Sequence, residues 1–258
     1  MEPGNIAIVG GTGFEELPAD IFAESLDIAT AHGPARVLSV SDNYTEPYRL
    51  YFLPRHGSRH ALAPHQINYK ANALALRQLG VRFIFATNAV GSLRPDLPVG
   101  SFVAVDDFVD FTRHRPITLY DETHWSHTDF SSPYSTLLRE MLVDAAQSLS
   151  IPIVASGTYI CCDGPRFESP AEVRLFRQWG GDIVGMTGLP EVVFAREAGM
   201  EYAAIAIVTN LGAGLTASPI DHADVVRNMA SALPLLREIT MTAARQLVAS
   251  WPDKAGTS

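Results

Sequence analysis

The chain has 258 residues, enough for one large domain with a sizeable core, and 47% of them are hydrophobic. A formal net charge of -9 disfavours nucleic acid and anionic membranes as partners, so an anionic ligand must meet a local positive site. The longest apolar runs, such as YAAIAIV at 202–208, fall far short of the roughly 20 residues a membrane span needs.

The N-terminal MEPGNIAIVG has neither the basic start nor the apolar stretch of a secretory signal. Short apolar or β-branched runs predict strands over 5–9, 35–40, 48–53 and 82–87, with a helix over 67–80 before the last of them. A strand over 101–105 follows. Residues 106–134 are richer in His, Asp, Thr and Tyr and carry little periodicity, so they read as a long functional loop. Beyond them come a helix over 135–150, a strand over 153–162, a helix over 169–180, a strand over 182–186, a helix over 190–199, a strand over 202–209 and a long helix over 222–251.

The strand over 153–162 ends in the only two cysteines, Cys161 and Cys162. Adjacent cysteines suit neither a disulfide framework nor a zinc site, and a reduced, cytoplasmic location is the expectation. Three helices close on Gly80, Gly180 and Gly199, where a left-handed cap is expected, and two begin with proline near the first turn. The tail PDKAGTS is expected to fray. This alternation predicts an α/β fold: a single domain over 1–258 with a mixed, mainly parallel central sheet flanked by helices.

Several predicted strand ends carry chemistry. In IVGGTGF at 8–14 a strand runs into three glycines around Thr12. Such a turn either simply reverses the chain or aims consecutive N–H groups at an anion, with the Thr12 hydroxyl as one more donor. It is neither a Walker loop, lacking Gly-Lys-Ser/Thr, nor a dinucleotide fingerprint, because Glu16 stands where the third glycine belongs. Arg55, His56, Arg59 and His60 then concentrate four donors within six residues of an acidic chain, which favours an anion site over a solvated face. His56 and His60 have helical i, i+4 spacing, but the strand and glycine context argues against a metal pair.

Further along, FATNAVGSL places Asn88 at a strand end before a turn of small residues. CDGPRFESPAE puts Phe167 and Glu168 just before a helix, and VGMTGLPE puts Met186 and Thr187 before another. IVTNLGAGLTASPIDH ends an apolar strand on Asn210, lines the next turn with small residues and reaches His222. Ligands of open α/β sheets gather at strand carboxyl ends. An anion nest, a methionine platform, an aromatic face and two polar side chains suit phosphate, a sugar and a planar heterocycle.

In order along nearly the whole chain, GGTG at 10–13, RHG at 55–57, NYKAN at 68–72, TNAVGSL at 87–93, GPRFES at 164–169, VGMTGLPEVVFAREAG at 184–199 and TN at 209–210 resemble the trimeric purine nucleoside phosphorylase and methylthioadenosine phosphorylase family. The resemblance implies a nucleoside phosphorylase-like fold and phosphorolysis, in which phosphate attacks the anomeric carbon of a purine nucleoside. By motif, Thr12, Arg55, His56, Asn88, Ala89 and Thr187 look like the phosphate site and Met186 like the ribose platform. It also implies a homotrimer, with His127 reaching a neighbour's 5' pocket, and no metal or organic cofactor, phosphate being a co-substrate.

Asn210 and Gly212 stand where the adenine-selective branch carries acids. An amide at 210 offers an acceptor to a protonated purine N7 and a donor to an oxygen at position 6. Glu168 would accept from the N1–H of hypoxanthine or guanine but oppose adenine's N1, itself an acceptor. His222, unless it only caps the following helix, suits a 5'-hydroxyl better than a thioether. Catalysis is expected from Asn210 and His56. RHGSRH, by contrast, is the phosphate signature of the methylthio branch, so methylthioadenosine and methylthioinosine stand as alternative substrates. A histidine phosphatase built on Arg55-His56-Gly57, or a nucleoside-binding protein without catalysis, are the alternatives from other classes.

Overall fold

The computed structural model describes residues 3–11, 22–40, 48–57, 61–216 and 219–251. In chain order the strands are β1 (Asn5–Gly10), β2 (Phe22–Thr30), β3 (Gly33–Val40), β4 (Leu50–Pro54), β5 (Val81–Ser92), β6 (Phe102–Ala104), β7 (Asp107–Asp110), β8 (Ile153–Val154), β9 (Thr158–Cys161), β10 (Ile183–Gly185) and β11 (Glu201–Leu211). The helices are α1 (Tyr69–Gln78), α2 (Thr136–Ser148), α3 (Pro170–Gln178), α4 (Glu191–Glu197) and α5 (His222–Ala249). All five predicted helices form, within two residues of their expected ends.

Among the described residues these strands make one mixed sheet, ordered β2-β3-β4-β1-β5-β10-β9-β7, with β11 on the other side of β5 and β6 and β8 beyond it. β1, β4, β5 and β11 run parallel. The apolar run of β11 is continuous because both its faces are covered. Tyr202, Ala204, Ala206 and Val208 enter the core under α1 and α4, while Ala203, Ile205 and Ile207 enter the core under α2 and α5. Asn68, Ser169 and Asp221 cap α1, α3 and α5, the second through a reciprocal box with Glu172. The expected helix-closing glycines adopt left-handed φ values of 69°, 83° and 77°.

The structure corrects the sequence reading in four places. β2 and β7 were not expected, and they are the two ends of the sheet path; an edge strand with polar, largely exposed residues carries no buried apolar run to reveal it. Residues 106–134 therefore begin as a strand and are irregular only from 111. The strand expected over 153–162 is two, β8 and β9, broken at Gly157, whose added Cβ would lie 2.6 Å from Val103 Cγ1. Finally, β5 and β11 run past their predicted ends, so Asn88 and Asn210 belong to strands and not to turns. Among the described residues no helix is long and apolar enough to cross a membrane.

Candidate active site

β5 changes neighbours partway along its length. β1 pairs with it only as far as Ala86, and β10 joins it from the same side only at Gly91 and Ser92. Among the described residues, 87–90 thus have no strand partner on that flank, the kind of switch point where an α/β sheet leaves a crevice. A cavity of about 370 Å³ lies there, within the roughly 300–1,000 Å³ usual for small-molecule sites. His56, Ala89, Phe167, Glu168, Met186, Thr187, Asn210 and His222 all line it.

Asn210 reaches the cavity because of its neighbour. β11 pairs with β5 up to Val208–Val90 and resumes at Asn210–Gly91, leaving Thr209 as an extra residue. One extra residue reverses the side-chain alternation, so Asn210 leaves the face shared by Ala204, Ala206 and Val208. Thr209 Oγ1 donates to Val90 O at 3.2 Å, and Asn228 Nδ2 of α5 donates to Thr209 O at 2.7 Å. Asn228 carries no sequence signal, because only the folded chain brings α5 to the bulge.

Glu168 is 9% exposed, and among the described residues its buried Oε1 has no hydrogen-bond partner. Burial raises the Glu168 pKa above the ordinary carboxyl value. An unpaired buried acceptor is costly to maintain, so this oxygen is a strong point for a ligand N–H. Across the cavity, Met186 packs against bare backbone: an added Cβ on Gly164 would lie 2.5 Å from its sulfur.

Arg55 and His56 meet at Gly11. An added Cβ there would lie 2.9 Å from Arg55 Nη1 and 3.6 Å from His56 Nε2. His56 Nδ1 lies 2.8 Å from Leu62 O; a carbonyl only accepts, so Nδ1 carries the hydrogen and Nε2 is turned toward Gly11. Arg55 does not line the cavity. It is 1% exposed, and Nε and Nη2 donate to the two Glu191 oxygens at 2.7 Å each while Nη1 donates to Thr87 O at 2.9 Å. Tyr202 Oη adds a third donor to Glu191 at 2.7 Å. Burial works against the Arg55 charge, but Glu191 outweighs it and raises the pKa above the ordinary value. Those bonds use three of five guanidinium N–H groups, so Arg55 is first a buried ion pair and has only two N–H groups left for an anion.

Asn88 also lies behind the lining, donating from Nδ2 to Thr187 Oγ1 at 3.0 Å. Gly212 is a packing residue off the lining: its N–H donates to Ser92 O at 2.8 Å, and an added Cβ would meet that oxygen at 3.1 Å. His127 is exposed, off the lining, with its ring 5.3 Å from that of Trp125. His222 does not cap α5, since Asp221 does. Thr12, Arg59 and His60 lie outside the described residues. Leu62, Val184 and Val225 are among the apolar lining residues that the motifs do not single out; Val225 lies one helical turn after His222, and Val184 two positions before Met186. Among the described residues no group of three or more His, Cys, Asp or Glu could hold a metal.

Residues 5–245 match the phosphorylase superfamily. The 6-oxopurine nucleoside phosphorylase of Pyrococcus furiosus is 43% identical over 231 residues, covering 87% of this chain and 86% of that one. The S-methyl-5'-thioadenosine phosphorylase of Thermofilum pendens is 41% identical over 230 residues, covering 89% and 87%. The methylthioadenosine phosphorylase of Schistosoma mansoni in complex with adenine superposes with a TM-score of 0.89 at 30% identity, covering 96% of this chain and 92% of that one. A sheet that opens a crevice at β5, a cavity lined by the motif residues and a match over nearly the full length agree: this chain belongs to the phosphorylase superfamily, among its nucleoside phosphorylases.

Proposed function

We propose that the protein catalyses phosphorolysis of purine nucleosides and favours 6-oxopurines such as those of inosine and guanosine. The observation that carries this reading is the buried, unpartnered Oε1 of Glu168 on a cavity that Asn210 also lines. A carboxylate there pairs with the N1–H of a 6-oxopurine and is left facing an acceptor by adenine.

In this mechanism a phosphate oxygen attacks C1' as the C1'–N9 bond breaks, and the bonding pair leaves with the purine, which takes a proton from solvent at N7 and so departs neutral. The Asn210 carbonyl accepts from N7–H and its amide donates to O6, an interaction that strengthens as electron density builds on the departing base. Thr12, Arg55, His56, Asn88, Ala89 and Thr187 are assigned to phosphate, with His56 Nε2 and Gly11 as the point of convergence. Arg55 serves through whichever N–H groups Glu191 and Thr87 leave it. Phe167 and Met186 flank base and sugar, His222 meets the 5' substituent, and phosphate is a co-substrate in a reaction assigned no cofactor. A homotrimer in the cytoplasm, with His127 completing a neighbour's 5' pocket, is part of the proposal.

Methylthio-nucleosides are the second reading, favoured by RHGSRH and by the Thermofilum pendens relative. Phosphate-dependent base release from inosine, guanosine, methylthioinosine and methylthioadenosine, run in parallel, separates the two. Inosine and guanosine should lead. If methylthioadenosine leads, the roles given to Glu168 and His222 are wrong.

A further inference from the structure

No residue of the segment 106–134 lines the cavity, yet Arg115 reaches both cavity walls from behind. It is 9% exposed. Its Nη2 donates to Met186 O at 2.6 Å, to Asp163 O at 2.9 Å and to Cys162 O at 3.3 Å, and Nη1 donates to Leu189 O. Nε lies 3.5 Å from Asp163 Oδ1, and the guanidinium carbon is 5.2 Å from the centre of the Tyr69 ring.

These carbonyls belong to two separate segments. Cys162 and Asp163 lead into Phe167 and Glu168, the wall assigned to the base, whereas Met186 and Leu189 bracket Thr187, on the side assigned to sugar and phosphate. One nitrogen, Nη2, holds a carbonyl from each. Between them sits Gly164, whose missing side chain lets the Met186 thioether lie against the backbone. A buried cation that does not itself line the cavity thus bonds to both walls.

We propose that Arg115 is a positioning residue for phosphorolysis: by tying the backbone at 162–163 to that at 186–189, it fixes the base wall relative to the sugar and phosphate wall. This rests on the reading of the cavity as a nucleoside phosphorylase site. A lysine supplies the charge but only a single nitrogen, which cannot span the four carbonyls in the same plane. Misalignment of reacting groups by about 1 Å lowers turnover by up to about 100-fold.

The test compares wild type, Arg115→Lys and Arg115→Ala, each assayed well below its own melting midpoint, on whichever nucleoside the wild type phosphorolyses best. The expected result is a fall in kcat of about tenfold or more with much smaller changes in both KM values, because misalignment costs turnover more than binding. Added methylguanidine should restore part of the lost turnover in Arg115→Ala and leave wild type unaffected. Should Arg115→Ala not fold, Arg115→Lys alone decides. A folded Arg115→Lys with wild-type kcat and only a lowered melting midpoint overturns the proposal, since that is what a purely structural role produces. Failure of the substrate reading shows separately, as a wild type that prefers another nucleoside or releases no base.

Discussion

Glu168→Gln is the substitution whose consequences follow most directly from the site. The wild-type carboxylate is 9% exposed with one oxygen unpartnered, and in the proposed complex it accepts the purine N1–H. A hydrogen bond to a charged group contributes about 1.5–3 kcal/mol and one between neutral groups about 0.5–1.5 kcal/mol. A glutamine that turns its carbonyl to N1–H therefore forfeits about 1–1.5 kcal/mol, roughly 5- to 13-fold in kcat/KM for inosine. Glu168→Ala loses the whole bond, about 10- to 150-fold. For adenosine the direction reverses, because the glutamine amide can donate to N1. Stability moves oppositely to inosine activity. Burial raises the folded pKa of Glu168 above the ordinary 4.5, so the folded chain holds that proton more tightly than the unfolded one. The group's favourable contribution is complete below the ordinary value and is lost as pH rises through the raised one. Glu168→Gln should thus melt higher than wild type at pH 8 and lose that advantage at pH 4. Steady-state kinetics on inosine and adenosine, with melting curves across pH, form the assay. An inosine kcat/KM within twofold of wild type, in both variants, would refute the role given to the carboxylate.

Asn210→Asp should raise the adenosine-to-inosine ratio of kcat/KM by about tenfold, one hydrogen bond's worth; an unchanged ratio in competition assays removes Asn210 from base reading. Glu191→Gln leaves Arg55 buried without a counter-charge and should cost about 3–5 kcal/mol in denaturant unfolding, whereas a loss below about 1 kcal/mol would show that Arg55 finds another partner. Gly212→Ala places a methyl 3.1 Å from Ser92 O and 3.2 Å from Val173 Cγ1, overpacking of about 1–3 kcal/mol. Its melting midpoint should fall by about 2–4 °C per kcal/mol, and an unaltered midpoint would mean that the end of β11 yields at no cost.

Local chemistry explains what was legible in the sequence. Helical periodicity with Asn68, Ser169 and Asp221 ahead of it and Gly80, Gly180 and Gly199 behind places the helices, because caps and left-handed closures are decided within a few residues. The core strands show as apolar runs because burial on both faces demands them, and β2 and β7 stay hidden because an edge does not. Motif order along the chain likewise sufficed to pick the family and eight of the cavity's lining residues.

Motifs and composition specify which side chains are available to phosphate, sugar and base. What each one faces is set only when the chain folds. Arg55 meets Glu191 across 136 residues of chain, Arg115 gathers carbonyls from two segments, and an extra residue at Thr209 turns Asn210 toward the cavity. None of these has a local signature, since buried charges and carbonyls are satisfied by whatever the fold brings within bonding distance, and strand register is set by the neighbouring strand.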